Sequence, residues 1–232
     1  MNFAPPHSRN ATRHISICGT DLVADHDGVL FWPEEGLLAV ADLHFEKGSS
    51  FARRGMLLPP YDTAATLARL AVLIPRYAPR TVIALGDSFH DGGGPARLSQ
   101  PDRATLADLQ RGRDWIWIAG NHDPDVTTEV AGIFAQYVTL GPLTFRHEPT
   151  GEVGEIAGHL HPSARIVWRG RSVVRRCFAA DAYRAVMPAF GAYTGGLSIR
   201  HQAFAMVFGA SEFTAHVLGD QRVYRFSSAH CF

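Results

Sequence analysis

Several short apolar runs in this sequence end directly in side chains of the kind that bind metal ions. These side chains carry imidazole, carboxylate or amide donors, and they are Asp42, His44, Asp87, Asn121, His147, His159 and His161. Open α/β sheets carry their sites where the backbone leaves the carboxyl ends of the strands, so we expect these side chains to meet in one cleft. A donor set that mixes imidazole with carboxylate and amide oxygen suits Mn, Fe or Zn better than Mg or Ca.

Each motif taken alone also has an ordinary explanation. Side chains two apart on an extended strand point the same way, so Asp42 with His44, and His159 with His161, can each face one cleft. A DxH pair also arises by chance, and Gly-Asp after a strand is common turn chemistry. The Asn-His-Asp that follows Trp115 to Ala119 is more specific, because three polar residues add nothing to the packing of a buried run. The joint occurrence of the motifs favours a metal centre.

The elements that must position these residues alternate along the chain. Buried strands are predicted over 37–41, 81–85 and 115–119, and helices over 62–77 and 101–110. This alternation is typical of an α/β sheet with right-handed crossovers. The second half is rich in strand-like runs, at 143–145, 154–157, 164–168, 172–178, 203–208 and 215–226. Two sheets packed face to face, with helices outside, accommodate the pattern.

Length and composition fit a globular protein. The 232 residues are 46% hydrophobic and 19% charged, which supplies a sizeable core. We expect a flexible leader over 1–14 and a single domain over 15–232. No apolar run reaches the roughly 18 residues that span a bilayer, so a cytoplasmic location without membrane contact is expected. The zero net charge argues against a strongly electrostatic nucleic-acid binder without excluding one.

Five motifs follow one another in a characteristic order. They are Asp42-Leu43-His44, Gly86-Asp87-Ser88-Phe89-His90, Gly120-Asn121-His122-Asp123, His147 and Gly158-His159-Leu160-His161. This order resembles the calcineurin-like metallophosphoesterase superfamily. The resemblance implies a four-layer α/β/β/α sandwich with a dinuclear site between two mixed sheets. It implies that one metal is held by Asp42, His44, Asp87 and His161, and the other by Asp87, Asn121, His147 and His159. Asp87 would bridge the ions, and His122 matches the catalytic histidine of the family.

Further segments narrow the resemblance. Residues 42–48, Phe51-Ala52-Arg53 and residues 188–196 look like the bacterial ligase-associated DNA-damage-response endonucleases of this superfamily. That resemblance implies a DNA substrate, a role in DNA repair, manganese as the metal, and functional association with a DNA ligase, a helicase and an exonuclease. A homodimer stays open.

The expected reaction is phosphodiester hydrolysis. Two cations about 3.5–4 Å apart clamp the phosphoryl oxygens, and a hydroxide that bridges them serves as the nucleophile. The resemblance implies that His122 protonates the leaving oxygen or stabilises the phosphoryl group. Asp123 either orients His122 or caps a turn. His90 either meets the substrate phosphate or is an ordinary surface residue, and Arg53 and Arg54 are candidate substrate contacts.

Two other regions have alternative interpretations. Arginines at 165, 169, 171, 175 and 176 either bind backbone phosphates as a basic ridge or form a solvated surface. For residues 188–196 we favour a structural crossing where small residues let backbones approach.

Three functions compete. The first is a manganese-dependent DNA endonuclease, and the second is a hydrolase of a small nucleotide, a pyrophosphate or a phosphomonoester. An open, basic groove favours a polymer, whereas an enclosed cleft favours a small substrate. The third is a catalytically silent metal-bound scaffold, which the loss of His122 or of a bridging ligand would mark. Both are present in the sequence.

Overall fold

The computed structural model describes residues 14–125, 127–168 and 170–232, without the side chain of Trp168. The strands of its first half are β1 (His14–Ile17), β2 (Thr20–Ala24), β3 (Leu30–Trp32), β4 (Leu37–Val40), β5 (Thr81–Leu85), β6 (Asp114–Ile118), β7 (Ile133–Ala135) and β8 (Tyr137–Leu140). The later strands are β9 (Leu143–Arg146), β10 (Glu155–Ala157), β11 (Pro162–Trp168), β12 (Arg171–Ala180), β13 (Arg184–Val186), β14 (Leu197–Ser198), β15 (Thr214–Leu218) and β16 (Val223–Ser227). The helices are α1 (Lys47–Ala52), α2 (Asp62–Tyr77), α3 (Gly94–Arg97), α4 (Gln100–Gln110) and α5 (Gln202–Phe208), with a 3₁₀ turn over Ser228–His230. The leader expected over 1–14 lies outside the described residues except for His14.

The first sheet carries strands that are buried on both faces. Its order is β1-β2-β3-β4-β5-β6-β7, antiparallel from β1 to β4 and parallel from β4 to β7. Along β4, Leu37 and Ala39 face the core between the sheets, whereas Leu38 and Val40 face the core under the helices. The strand period of two therefore divides one apolar run between two cores. The buried strands predicted over 37–41, 81–85 and 115–119 are confirmed to within one residue at either end.

Helices α2 and α4 cover the outer face of this sheet. The side chains of Leu70, Leu73 and Ile74 recur at helical spacing and are buried against it. The helix predicted over 62–77 is confirmed. Helix α4 begins one residue before its predicted start, because the Ser99 hydroxyl accepts a hydrogen bond from the Asp102 backbone N–H (3.2 Å) and so caps it.

The second sheet has nine strands and mixed pairing. Its main path runs β14-β11-β12-β13-β10-β9-β8, and β15 pairs with both β12 and β16. Phe145, Ile156 and Phe178 of this sheet fill the core that it shares with the first sheet. The two sheets thus pack face to face, as expected for a sandwich.

Residues 203–208 form part of helix α5, so the strand-like interpretation of this run was wrong. Phe204, Val207 and Phe208 recur at helical spacing and pack on the outer face of the second sheet. The His201 ring accepts a hydrogen bond from the Ala203 backbone N–H (3.2 Å), which caps the start of the helix. An all-apolar run of this length fits the period of a strand and that of a helix, so the pattern alone does not distinguish them. The run forms a helix here because a helix covers the outer face of the second sheet.

The layers are therefore helix, sheet, sheet and helix, and the α/β/β/α fold class is confirmed. Within the described parts of the chain, none of the helices is long and apolar enough to cross a membrane.

The packing of α2 yields a matched pair of stability predictions. Leu73 is fully buried, whereas its neighbour Val72 is 58% exposed. We expect Leu73→Ala to lower the free energy of unfolding by about 2–5 kcal/mol, because it leaves a cavity under the helix. Val72→Ala is the control and is expected to change that free energy by no more than about 0.5 kcal/mol. Urea unfolding followed by circular dichroism measures both, and equal losses would contradict the assigned face of α2.

Candidate metal centre

The predicted donor residues all follow strands that end at one edge of the sandwich. Asp42 and His44 follow β4, and Asp87 follows β5. The parallel pairing of β4, β5 and β6 brings the carboxyl ends of these strands side by side. In the second sheet, β9 and β10 are also parallel, and their ends supply His147, His159 and His161.

The donors form two clusters. In the first, which consists of Asp42, His44 and His161, one ligand atom from each residue lies within 4.8 Å of the others, and Nε2 of His161 is 3.3 Å from Oδ1 of Asp42. The second consists of Asp87, His147 and His159, under the same limit. Each cluster mixes imidazole with carboxylate, a set that suits a divalent cation.

Asn121 joins the second cluster. Its Oδ1 lies 2.8 Å from Nε2 of His147 and 3.1 Å from Nδ1 of His159, and these two ring nitrogens are 3.1 Å apart. Three atoms that carry lone pairs thus converge on one point. A cation at that point would accept all three lone pairs.

The Asp87 carboxylate lies between the two clusters. Its Oδ1 is 3.4 Å from Nε2 of His147, whereas its Oδ2 is 3.9 Å from Nε2 of both His44 and His122. Oδ1 also accepts a hydrogen bond from the His122 backbone N–H (2.9 Å). One oxygen therefore faces each cluster, which is the arrangement that a bridging carboxylate requires.

A third acidic group is satisfied without a metal. Asp25, His26 and Asp27 also bring ligand atoms within 4.8 Å of one another. Nη1 of Arg76 lies 3.3 Å from the Asp25 carboxylate and 3.5 Å from that of Asp27. This guanidinium supplies the positive charge that the two carboxylates need.

The backbone at the centre is left-handed where a strand was expected. Strand β4 ends at Val40, and φ is +53° at Asp42 and +46° at His44. Positive φ values also occur at Asp87 (+45°), His159 (+67°) and His161 (+46°). The expectation that each donor pair projects from an extended strand was wrong. Left-handed backbone at both residues of a pair, with one residue between them, still brings both side chains to the same site. Non-glycine residues in this region are uncommon and strained, and they cluster at functional sites.

Two glycines make room for the donors. A Cβ atom at Gly86, whose φ is +70°, would lie 2.5 Å from the His147 ring. A Cβ atom at Gly120 would lie 2.2 Å from the backbone nitrogen of Asp87. Any side chain at either position would displace a donor residue.

His122 lies at the rim, and its side chain is 41% exposed. Nδ1 of its ring is 3.0 Å from the carbonyl oxygen of His90, and the two imidazole rings stack with centroids 5.1 Å apart. The Asp123 carboxylate instead accepts hydrogen bonds from the backbone N–H groups of Phe89 (3.0 Å) and Gly120 (3.2 Å). The partner of the His122 ring is therefore the His90 carbonyl, and Asp123 ties two loops together. Of the two roles considered for Asp123, the described contacts fit the turn cap, and the orientation of the His122 ring by Asp123 is corrected to orientation by the His90 carbonyl.

Burial and neighbouring charge set the protonation of the donors. Burial, followed by the proximity of His161 and His122, lowers the pKa of His44 to about 2. Burial and His147 also lower the pKa of His159. Both rings are thus neutral at pH 7 and offer lone pairs. Nδ1 of His44 is buried without a hydrogen-bond partner among the described residues, whereas its Nε2 is the atom near Asp87.

The pKa values of His161 and Asp123 are raised. Burial opposes the charged form of His161, but the hydrogen bond and charge of Asp42 outweigh it and raise the pKa. Burial raises the pKa of Asp123 to about 7, and the charge of Asp87 adds to the effect. Because its pKa is raised, the protonated His161 ring must lose a proton before it can donate a lone pair to a metal.

Of the candidate substrate contacts, His90 lies beside His122. His90 is half-buried, and burial, His122 and Lys47 lower its pKa, with a smaller contribution from Arg54. Arg53 and Arg54 are exposed. Lys47, which we did not predict, lies close enough to His44, His90 and His161 to affect the pKa of each. Its signal in the sequence was its status as the single lysine of an arginine-rich chain.

Residues 188–196 brace the first cluster. The backbone N–H groups of Phe190 and Gly191 donate to the carbonyl oxygens of Ala41 (2.8 Å) and Asp42 (3.1 Å). The Lys47 ammonium donates to the Tyr193 carbonyl oxygen (2.8 Å). These contacts support the structural interpretation of the segment.

The raised pKa of His161 predicts a pH dependence of metal binding. Metal and proton compete for this ring, whose pKa is raised above the ordinary histidine value of about 6.5, so we expect metal affinity to begin to fall above pH 6.5 and to keep falling as the pH is lowered. Metal uptake near pH 6.5 should release up to about one proton from His161 and none from His44, which carries none there. Calorimetric titration in buffers of different ionisation enthalpy counts the protons. His161→Gln should lower the count, and a pH-independent affinity would refute the prediction.

Comparison with known proteins agrees with this geometry. The family model described as calcineurin-like phosphoesterase matches residues 37–181. A search among curated proteins found no significant match. The crystal structure of Pseudomonas putida nuclease MPE is similar, with 27% identity, a TM-score of 0.68 and coverage of 92% of this chain and 98% of that one. The phosphoesterase Yfce from E. coli is more distant, with 13% identity, a TM-score of 0.40 and coverage of 82% and 97%. With matched residues spanning the strand ends that carry both clusters, the chain belongs to the calcineurin-like phosphoesterase family.

Proposed function

We propose that this protein is a two-metal phosphodiesterase that cleaves DNA as an endonuclease, with manganese as its metal. The observation that carries the proposal is the Asp87 carboxylate, which directs one oxygen towards each donor cluster. A solved nuclease that is 27% identical over nearly the whole of both chains supports nucleic acid as the substrate.

The donor residues divide between the two ions. The first ion would be held by Asp42, His44 and His161, the second by Asn121, His147 and His159, and both by Asp87. When bound, the two ions supply positive charge to the phosphoryl oxygens and acidify water. Imidazole, carboxylate and amide donors suit manganese, and also iron or zinc.

His122 is the proposed proton donor to the leaving oxygen. Its Nδ1 faces the His90 carbonyl, which can only accept, so Nδ1 carries a hydrogen in that contact. Nε2 is then the atom that faces Asp87 and the open rim, where it can hold or deliver a proton. The stacked His90 ring limits rotation of the His122 side chain.

The exposure of the centre supports a polymeric substrate. The side chains of His122 and His159 are 41% and 32% exposed, so the rim is open to solvent. His90 stacks on His122 at this rim, and we propose that it contacts phosphates together with the exposed Arg53 and Arg54. A role in DNA repair beside a DNA ligase, a helicase and an exonuclease is part of the same proposal and rests on the motif resemblance at 42–48 and 188–196.

Cleavage of circular DNA tests the proposal. Protein stripped of metal and resupplied with manganese should nick or linearise single-stranded or duplex circles. His122→Ala should slow cleavage by about 10²–10⁴-fold, because the leaving oxygen loses its proton donor. His14→Ala, at an exposed histidine on β1, is the matched control and should retain full activity.

Two outcomes would count against parts of the proposal. Intact DNA together with hydrolysis of a small phosphodiester or phosphomonoester would exclude the DNA assignment and leave the phosphoesterase. Equal cleavage by wild type and His122→Ala would exclude the assigned proton donor.

A further inference from the structure

Strands β11 and β12 form a hairpin that begins at the metal centre. Strand β11 starts at Pro162, directly after the first-cluster donor His161. It pairs with β12 from Ser163 opposite Arg176 to Trp168 opposite Arg171. Seven residues at ~3.3 Å each carry the hairpin roughly 23 Å from the donor. A strand of nucleic acid along it would present several successive phosphates.

The hairpin is strongly basic although the whole chain is neutral. Lysine plus arginine and aspartate plus glutamate each number 22, yet between Glu155 and Asp181 there are five arginines and no acidic residue. Three of the five, Arg165, Arg171 and Arg175, are exposed. Among the described residues, none of these three forms a salt bridge. Their charges are therefore available to a partner.

The remaining two arginines, Arg169 and Arg176, are not among these exposed charges. The Arg176 guanidinium donates to the Ala189 carbonyl oxygen (2.8 Å), and burial lowers its pKa, so it belongs to the brace of the metal centre. Arg169 lies outside the described residues. Among the described arginines of the hairpin, Arg176 is thus separate from the exposed Arg165, Arg171 and Arg175.

The register distributes the exposed arginines over both faces of the hairpin. Arg165 pairs directly with Val174, so the side chains of these two residues lie on the same face of the hairpin. Arg171 and Arg175 are each an odd number of residues from Val174 along β12, so their side chains lie on the other face. Val167 and Val174, on the side of Arg165, are 57% and 47% exposed. One side of the hairpin therefore combines a cation with apolar surface, and the other side carries two further cations.

We infer that the β11–β12 hairpin binds the backbone of the DNA strand next to the scissile phosphate; this inference rests on the proposed endonuclease function. The arginines neutralise phosphates and release their counterions, which makes the contact sensitive to salt. The two valines provide apolar contact to sugars and bases. Continuity with His161 aligns the bound strand with the metal centre.

The test separates DNA binding from chemistry. In the variant R165Q/R171Q/R175Q, glutamine keeps a long polar side chain and removes the charge. With manganese, we expect KM for an oligonucleotide to rise about tenfold, and the slope of log affinity against log salt to become shallower by about 2. Hydrolysis of bis(4-nitrophenyl) phosphate should stay at the wild-type rate, because that ester is too short to reach the hairpin.

Two controls isolate the effect of position. R165K/R171K/R175K keeps the charges and should retain the salt slope. Arg111→Gln removes one exposed charge (79%) at the end of α4, where it pairs with Asp108, and should change KM for DNA less than R165Q/R171Q/R175Q does.

The outcomes distinguish this inference from the proposed function. An unchanged KM and salt slope in the glutamine variant, or an equal effect of Arg111→Gln, would overturn the hairpin assignment while the endonuclease stands. Wild-type protein that hydrolyses the small ester but neither binds nor cleaves DNA would overturn the proposed function, and the hairpin assignment with it. Self-association through the exposed valines, seen as a dimer by light scattering that the DNA does not dissolve, would also contradict it.

Discussion

The metal centre depends on the convergence of lone-pair atoms around Asp87. The Asn121 oxygen and the ring nitrogens of His147 and His159 lie within 3.1 Å of one another. His147 is buried, whereas His159 is partly buried and Asn121 is exposed, and holding lone-pair atoms this close together without enough donors to pair them is unfavourable. A cation at this point would remove that cost by accepting the lone pairs, and its binding would then stabilise this edge of the sandwich.

The backbone around the donor residues is strained, and hydrogen bonds between loops hold it in place. Donor residues with positive φ lie in loops that follow strands of both sheets, and hydrogen bonds tie these loops to one another. The His44 N–H donates to the Asp87 carbonyl oxygen (2.9 Å), and the His159 N–H donates to the Asp42 carboxylate (3.1 Å to Oδ2). The strands alone could not hold the site, because β4 and β10 end before their donors. The interlocked loops supply the rigidity that positions donor atoms.

The sequence predicted elements best where an apolar run had one consistent period. Strands β4, β5 and β6 and helix α2 followed from burial on two faces and from helical spacing. The three short strands β1, β2 and β3 escaped prediction because their pattern is brief and joined by turns. The run at 203–208 was assigned to the wrong type, since its apolar residues fit either period until the second sheet offered a surface that only a helix covers.

By itself, the sequence determined the donor chemistry: which residues bear imidazole, carboxylate and amide groups, and that each follows a strand. That much is encoded locally, because it depends on residue type and on short-range pattern. Only the tertiary structure decided which atoms face each other. It directed the two Asp87 oxygens to different clusters and paired the His122 ring with the His90 carbonyl instead of Asp123. These outcomes depend on contacts between residues far apart in the chain, and no local pattern specifies the directions in which the side chains point.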